Sequence, residues 1–441
     1  MARRITPTDG YAIMKALVRE ATGQSNIQVN DLSSFVSAGE TILSTGMENV
    51  FNALGIVMGR MFVASRPYKA RLNLMNNLGT DGYTSRIRKI SFYAKDATAS
   101  GYFNTNLYTN LADGFTSGEN KDANEDPQST KSQWEQHQAM PLQMNFAGST
   151  VWDDCLTMYE DQIKAAFRDP QELAQFVAGQ LTEHANDIES QKEAFNRMTL
   201  LSKIGATYLY TEGTGWVTGG AINLTTAFNT RFGTNYTSAQ LRSTYLKDFL
   251  AFMVATISKV SDYMTERSAK YHLPMTKTVN GESYSILRHT PYDRQRLYLF
   301  KPLFQDAESL VLPQIFHDEM LRQDNYEGVT FWQHNGNTDE ARAQVKVRVP
   351  FYNPSNGAQE SSGDIELEYV VGLMTDVDGL MTDYQIERAL STPVEARKGY
   401  RNTWLHFSKN AINDPTENAV LFYMDDSDVT QDTPDNSDVT P

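Results

Sequence analysis

The chain has 441 residues, a formal charge of −15, 40% hydrophobic residues and 11% aromatics. That is enough to bury a core and divide into two or three domains, and too apolar for a disordered protein. The acidic balance, with no basic run beyond Arg3-Arg4 and scattered bases around Arg86 and Lys89, argues against a protein whose main task is gripping phosphates.

The lone Cys155 excludes an intrachain disulfide framework and a CxxC metal knuckle, leaving a small buried hydrophobe or an inert thiol. No secretory h-region opens the chain, and no run approaches eighteen uncharged apolar residues, so no membrane span is expected. The expected setting is a reducing cytoplasm, where the glycan acceptors at Asn223 and Asn235 are chance matches.

In chain order, residues 1–40 mix small polar residues with short apolar pieces and suggest no core of their own. Thr45 and Glu48 have capping-box spacing, and Met47, Val50, Phe51, Leu54, Val57, Met58 and Met61 predict a helix that Arg66-Pro67 ends. Around residues 86–148 the pattern changes. Ile90 and Phe92 alternate with Lys89, Ser91 and Tyr93; Leu142, Met144 and Phe146 alternate with Gln143 and Asn145. Both are strand patterns. Residues 94–139 between them are too polar to fold alone, and read as a loop or as an arm that orders on a neighbour.

Asp169 caps a helix, Pro170 fits its first position, and Glu172 lies near its positive end. Leu173, Phe176, Val177, Leu181, Ala185, Ile188, Phe195 and Met198 form one apolar stripe behind them. If unbroken to Ile204, this helix is roughly 50 Å long. The glycines from Gly213 to Gly220 lack the Lys-Ser/Thr ending of a Walker loop and read as a turn. A second long helix starts at Ser238, with Leu241, Tyr245, Phe249, Phe252, Met253, Ile257, Val260 and Met264 at helical spacing.

Between 344 and 370, Val345, Val347 and Val349 face Ile365, Leu367 and Tyr369 across the turn residues Asn353 to Gly357. This predicts a hairpin with an apolar face and a face where Lys346 and Arg348 meet Glu366 and Glu368. Trp404, Leu405 and Phe407, then Ala419 to Met424, read as strands. Asp425 to Pro441 reads as a disordered acidic tail.

No catalytic, cofactor-binding or metal-ligating residue is expected. The seven histidines are dispersed without HExxH spacing. His317, Asp318 and Glu319 are as well explained by a solvated helix face as by acid/base chemistry. Asp376 and Asp378 precede Gly379 as in a calcium loop, but the later ligands are missing, so a turn is the better reading.

The order of parts resembles a tailed-bacteriophage major capsid protein with the Hong Kong 97-type fold, most similar to those of small short-tailed podophages of the Picovirinae group. Four stretches carry the resemblance: Val36 to Leu43 leading into Phe51 to Met58; Met140-Pro141 continuing through Asp161 to Phe167; the helix to Ile204; and Glu395 to Tyr400 with Trp404, then Asn418 to Phe422. It spans roughly 30–424 as scattered matches of order and spacing. The hairpin at 344–370 and the acidic tail depart from it.

The resemblance implies an α+β fold divided as follows: an N-terminal arm at 1–45, a helix and lead-in at 46–85, an E-loop at 86–148, and a peripheral domain with the spine helix at 149–210. An axial domain at 211–394 including the 344–370 hairpin, return strands at 395–424, and the tail at 425–441 complete it. The implied role is structural: hexamers and pentamers of the chain forming an icosahedral shell around packaged double-stranded DNA. Scaffolding protein and portal are implied assembly partners, the virion is the location, and the host cytoplasm the site of synthesis. The alternatives are an encapsulin-like compartment shell and a soluble carboxylate-dependent enzyme with a lid at 94–139. Some relatives cross-link subunits through a lysine in the E-loop; Lys95, Lys121 and Lys131 lie in that arm, and no motif marks any of them as reactive.

Overall fold

The computed structural model describes residues 7–23, 28–46, 49–54, 72, 75–77, 86–94, 140–147, 150–279, 282–310 and 325–429. Its axis is the long helix Pro170–Tyr208, 39 residues and about 58 Å. Asp169 starts it by accepting the Gln171 N–H at 3.0 Å, and Pro170 occupies the first turn, where a missing N–H costs nothing. Leu173, Ile188 and Phe195 are buried along it as the apolar spacing predicts. Met198 departs from that stripe and is 56% exposed, because the buried face runs on through Thr199, Leu200, Lys203 and Ile204.

Two sheets flank this helix, giving an α+β fold. One has four strands in the order Asn76–Asn77, Leu380–Ser391, Tyr400–Asn413, Thr150–Tyr159. The other has five, in the order Ala221–Asn223, Ala419–Met424, Tyr369–Asp376, Gln295–Phe300, Tyr326–Val329. Every residue of Ala419–Met424 and of Tyr369–Asp376 is buried, so these strands have apolar runs instead of alternation. Gly372 is required where Tyr369–Asp376 meets Gln295–Phe300: a Cβ there would lie 2.7 Å from the Tyr298 carbonyl oxygen. The larger core lies around this sheet and takes Leu200, Leu201 and Ile204 from the long helix.

A second core is built by the N-terminal residues only together with later elements of the chain. Pro7–Thr22 and Leu32–Ser44 are helices that bury Ile13, Met14, Leu17, Val18, Phe35 and Ile42 against Ile163, Phe167 and Leu173. Asp31 caps the second of them through the Ser34 N–H at 2.7 Å. Gly10 lets the first helix touch the Pro170 carbonyl, where a Cβ has no room. Thr45 is not an N-cap: its N–H bonds back to the Ile42 carbonyl and closes the preceding helix. Helix continues at 49–54; Glu48 and Val57 to Met61 lie outside the described residues.

The helix expected from Ser238 is two, Ser238–Ser243 and Leu246–Thr265, because Thr244 and Tyr245 both turn back to the Gln240 carbonyl. The 344–370 insertion is also subdivided. Val345–Val347 pairs antiparallel with Ile365–Leu367, and Pro350–Asn353 pairs with Ala358–Ser361 at the tip. Tyr369 belongs to the five-stranded sheet, and Arg348 pairs with Asp364, not Glu368. Lys346 does meet Glu366 on the exposed side, while Gly205 of the long helix makes room for Val347 and Val349.

Residues 425–429 do not detach as a free tail. Asp425 exchanges hydrogen bonds with Asn223, and Asp426 Oδ1 accepts the Ser238 N–H at 2.6 Å. Residues 430–441 lie outside the described residues.

Candidate functional site

Arg86–Phe92 and Pro141–Ala147 form the expected antiparallel ribbon, with Lys89 opposite Met144 and Ile90 opposite Gln143. Its facing is the reverse of what hydrophobicity alone suggests on the first strand. Lys89 and Ser91 turn inward with Leu142, Met144 and Phe146, whereas Ile90 and Phe92 point outward, each 60% exposed.

Lys89 turns inward because charge waits for it there. Its Nζ lies 2.5 Å from Asp414 Oδ2 and 2.6 Å from Glu417 Oε1. Both acids sit on the short crossing at 414–418 that carries the chain from one sheet to the other. Thr416 fixes the other oxygen of Asp414, with its N–H and its hydroxyl each donating to Oδ1 at 2.8 Å. Arg288 reaches Glu417 at 3.2 Å and donates to Ser91 of the ribbon at 2.7 Å. From the long helix, the buried Lys203 ammonium donates to the Asp414 carbonyl oxygen at 2.6 Å.

The electrostatics follow from burial competing with partners. Burial opposes the charge on Lys89, but Asp414 and Glu417 outweigh it and hold its pKa above the ordinary lysine value. Burial likewise opposes ionised Asp414, and Lys89 with Thr416 outweighs it, so this carboxyl titrates below its usual range. At Glu417 burial prevails over Lys89 and Arg288 and raises the pKa. Lys203 is driven down to about 8 by burial, which its acidic neighbours only partly offset. The junction ties ribbon, helix and both sheets at one point and sets an amine between two carboxyls.

Beside it, a cleft of about 1190 Å³ runs under the ribbon, lined by Leu142, Met144 and Phe146, by Glu193 and Arg197 of the long helix, and by Val347, Phe351 and Tyr352. A separate buried cation, Lys409, lies 4.7 Å from the Trp152 ring, 4.9 Å from Phe407 and 5.7 Å from Phe195. Its Nζ has no hydrogen-bond partner among the described residues, and burial lowers its pKa to about 8.

The motifs weighed in the sequence fall elsewhere. Gly213 to Gly220 folds back from the end of the long helix, with Gly220 packed on Thr211 and Gly219 on Lys270. Asp376 and Asp378 share Arg294, which makes their turn an ion-paired corner. Cys155 is half-buried on a strand opposite Trp404. His272 is buried between backbone carbonyls, and its pKa is lowered by that burial. His317, Asp318, Glu319, Lys95, Lys121 and Lys131 lie outside the described residues. Among the described residues no three His, Cys, Asp or Glu side chains gather as a metal site, and no helix is long and apolar enough to cross a membrane.

The junction escaped sequence reading because Lys89 stands 325 residues from Asp414 and 328 from Glu417. A lysine on the polar side of an apolar strand was the one signal.

No family model matches the chain, and no curated protein does. Among solved structures it is similar to the capsid structure of Staphylococcus phage Andhra, with 9% identity, 81% of this chain and 84% of that one covered, and a TM-score of 0.47. A bacteriophage P68 structure described as head fiber and inner core protein is similar at 11% identity, covering 81% and 85%, with a TM-score of 0.46. The mature capsid of bacteriophage PhiM1 follows at 10% identity, covering 81% and 87%, with a TM-score of 0.36.

Proposed function

We propose that the chain is a structural subunit, the major capsid protein of a small short-tailed bacteriophage with the Hong Kong 97-type fold. It assembles as hexamers and pentamers into an icosahedral head around double-stranded DNA, with scaffolding protein and portal as assembly partners. Under this reading 1–45 is the N-terminal arm, 86–148 the E-loop, 149–210 the peripheral domain, 211–394 the axial domain, and 395–424 the return strands.

The observation that carries the reading is the two-faced ribbon. Its inner face is fixed to its own body by buried charges, while its outer face offers Ile90 and Phe92 at 60% exposure. Apolar side chains held outward on a rigidly anchored ribbon suit burial against another copy, and repetition multiplies a modest contact into a closed shell. The junction positions the ribbon by tying Lys89 to Asp414 and Glu417 on the crossing between the sheets. A net charge of −15 suits a container that must hold nucleic acid without gripping it.

Size-exclusion chromatography and electron microscopy of the expressed chain test this. Capsomers or megadalton shells are expected, and a compact monomer or small oligomer under all assembly conditions refutes it. Nucleic acid in particles from infected cells separates a viral head from a compartment loaded with protein.

A further inference from the structure

We propose that Lys89 and Asp414 condense into an intrachain isopeptide bond, Nζ joining Cγ with loss of water, and that Glu417 moves the proton. This goes beyond the shell reading and holds whatever the chain assembles into.

The parts of an acyl transfer stand in place. The nucleophile, Lys89 Nζ, lies 2.5 Å from Asp414 Oδ2. Asp414 Oδ1 is held by two donors, the Thr416 N–H and hydroxyl, at 2.8 Å each. Those donors sit where negative charge would gather on a tetrahedral carbon, the arrangement that stabilises an oxyanion. Lys203 and Arg288 add positive charge around the same acids. Glu417 Oε1, 2.6 Å from the amine, is the base within reach of its protons. Asp414 is wholly buried and Lys89 is partly so, and holding the two together supplies much of what a bimolecular amide condensation lacks.

The resting pair is ionic, and the contacts that hold the Lys89 pKa up and the Asp414 pKa down make the first step an uphill one: proton transfer from the Lys89 ammonium to Asp414 Oδ2, which leaves a neutral amine and a neutral acid. The amine lone pair attacks Cγ, the C–N bond forms, and the electron pair moves to Oδ1. Glu417 takes a proton from the new N–H₂⁺ and delivers it to the Oδ2 hydroxyl. That group leaves as water, Oδ1 returns to a carbonyl, and Glu417 regains its carboxylate. Three ammonium hydrogens become one amide N–H and two in water, and one positive and one negative charge cancel. The raised pKa of Glu417 fits a carboxyl that accepts this proton readily. No oxidant or cofactor enters.

The product staples the ribbon to the crossing between the sheets. It differs in kind from a bond between subunits: it closes within one chain and changes no oligomer band on a denaturing gel.

Denaturing mass spectrometry of the purified full-length chain is the test. The expected mass is that of the sequence less one water, with a branched peptide joining Lys89 to Asp414 after digestion. Lys89→Arg keeps the charge and the ion pair but cannot condense, so it should fold, by circular dichroism, and show the full mass. Glu417→Gln should retain the ion pair to Asp414 and lose water roughly a hundredfold more slowly. Folded wild-type chain at full mass after prolonged incubation overturns the proposal, as does a branch mapped to Lys203. Water loss in Glu417→Gln at the wild-type rate overturns the proton-transfer role.

Discussion

Replacing Lys409 by methionine should make the folded chain more stable at neutral pH. Lys409 is 1% exposed, and its ammonium has ring faces around it but no hydrogen-bond acceptor among the described residues. Bringing the pKa from an ordinary 10.5 to about 8 corresponds to a cost of about 3 kcal/mol for keeping the charge inside. The Trp152, Phe407 and Phe195 rings at 4.7, 4.9 and 5.7 Å are apolar surface that a methionine can pack against. Methionine fills similar space without the charge, at a repacking cost of about 1 kcal/mol, so the expected gain is about 2 kcal/mol at pH 7.

The pH dependence has a definite sign. Between about pH 8 and 10.5 the unfolded chain still holds the Lys409 proton and the folded chain has released it, so wild-type stability from this group rises with pH. The advantage of Lys409→Met should therefore be full below about pH 8 and vanish by about 10.5. Urea unfolding of the unassembled chain at pH 7, 9 and 10.5 measures it. A less stable variant at pH 7, or a difference that does not close with rising pH, refutes the reasoning.

Ile90→Lys with Phe92→Ser should leave the unfolding midpoint of the isolated chain unchanged, because both side chains are 60% exposed, yet abolish particle formation in size-exclusion chromatography. Gly10→Ala should push the first helix off the start of the long one and cost about 1–3 kcal/mol by chemical denaturation, since the added Cβ meets backbone that cannot swing aside. Asp426→Ala removes the acceptor for the Ser238 N–H and should cost about 1 kcal/mol in the same assay.

What the sequence revealed divides by the range of the interactions. Asp169 and Pro170 mark the long helix because capping and the first-turn proline are decided within a few residues. The ribbon strands and the 345–347 with 365–367 pairing are legible for the same reason: alternation and a turn are local. The N-terminal helices are not announced in the sequence reading: Ile13, Met14, Leu17 and Val18 fall at helical spacing, but their setting is polar and the core they enter is completed by Phe167 and Leu173 far along the chain. Spacing alone joins Leu241 to Phe249, and only the turn of Thr244 and Tyr245 onto Gln240 separates them. Nothing local announces that Lys89 will meet Asp414. Which face of a strand turns inward was settled by a carboxylate contributed from the other end of the sequence.

The long helix is rooted in both cores, through Leu173 in the smaller and Leu200, Leu201 and Ile204 in the larger. A continuous helix resists bending far more than a loop does, so a load on one core arrives at the other as a tilt and is not absorbed between them. In a container pressed outward by its contents, such a beam would spread stress across the whole subunit. Gradual flexing of the wall would then draw on the elasticity of one helix, with no hinge to concentrate it.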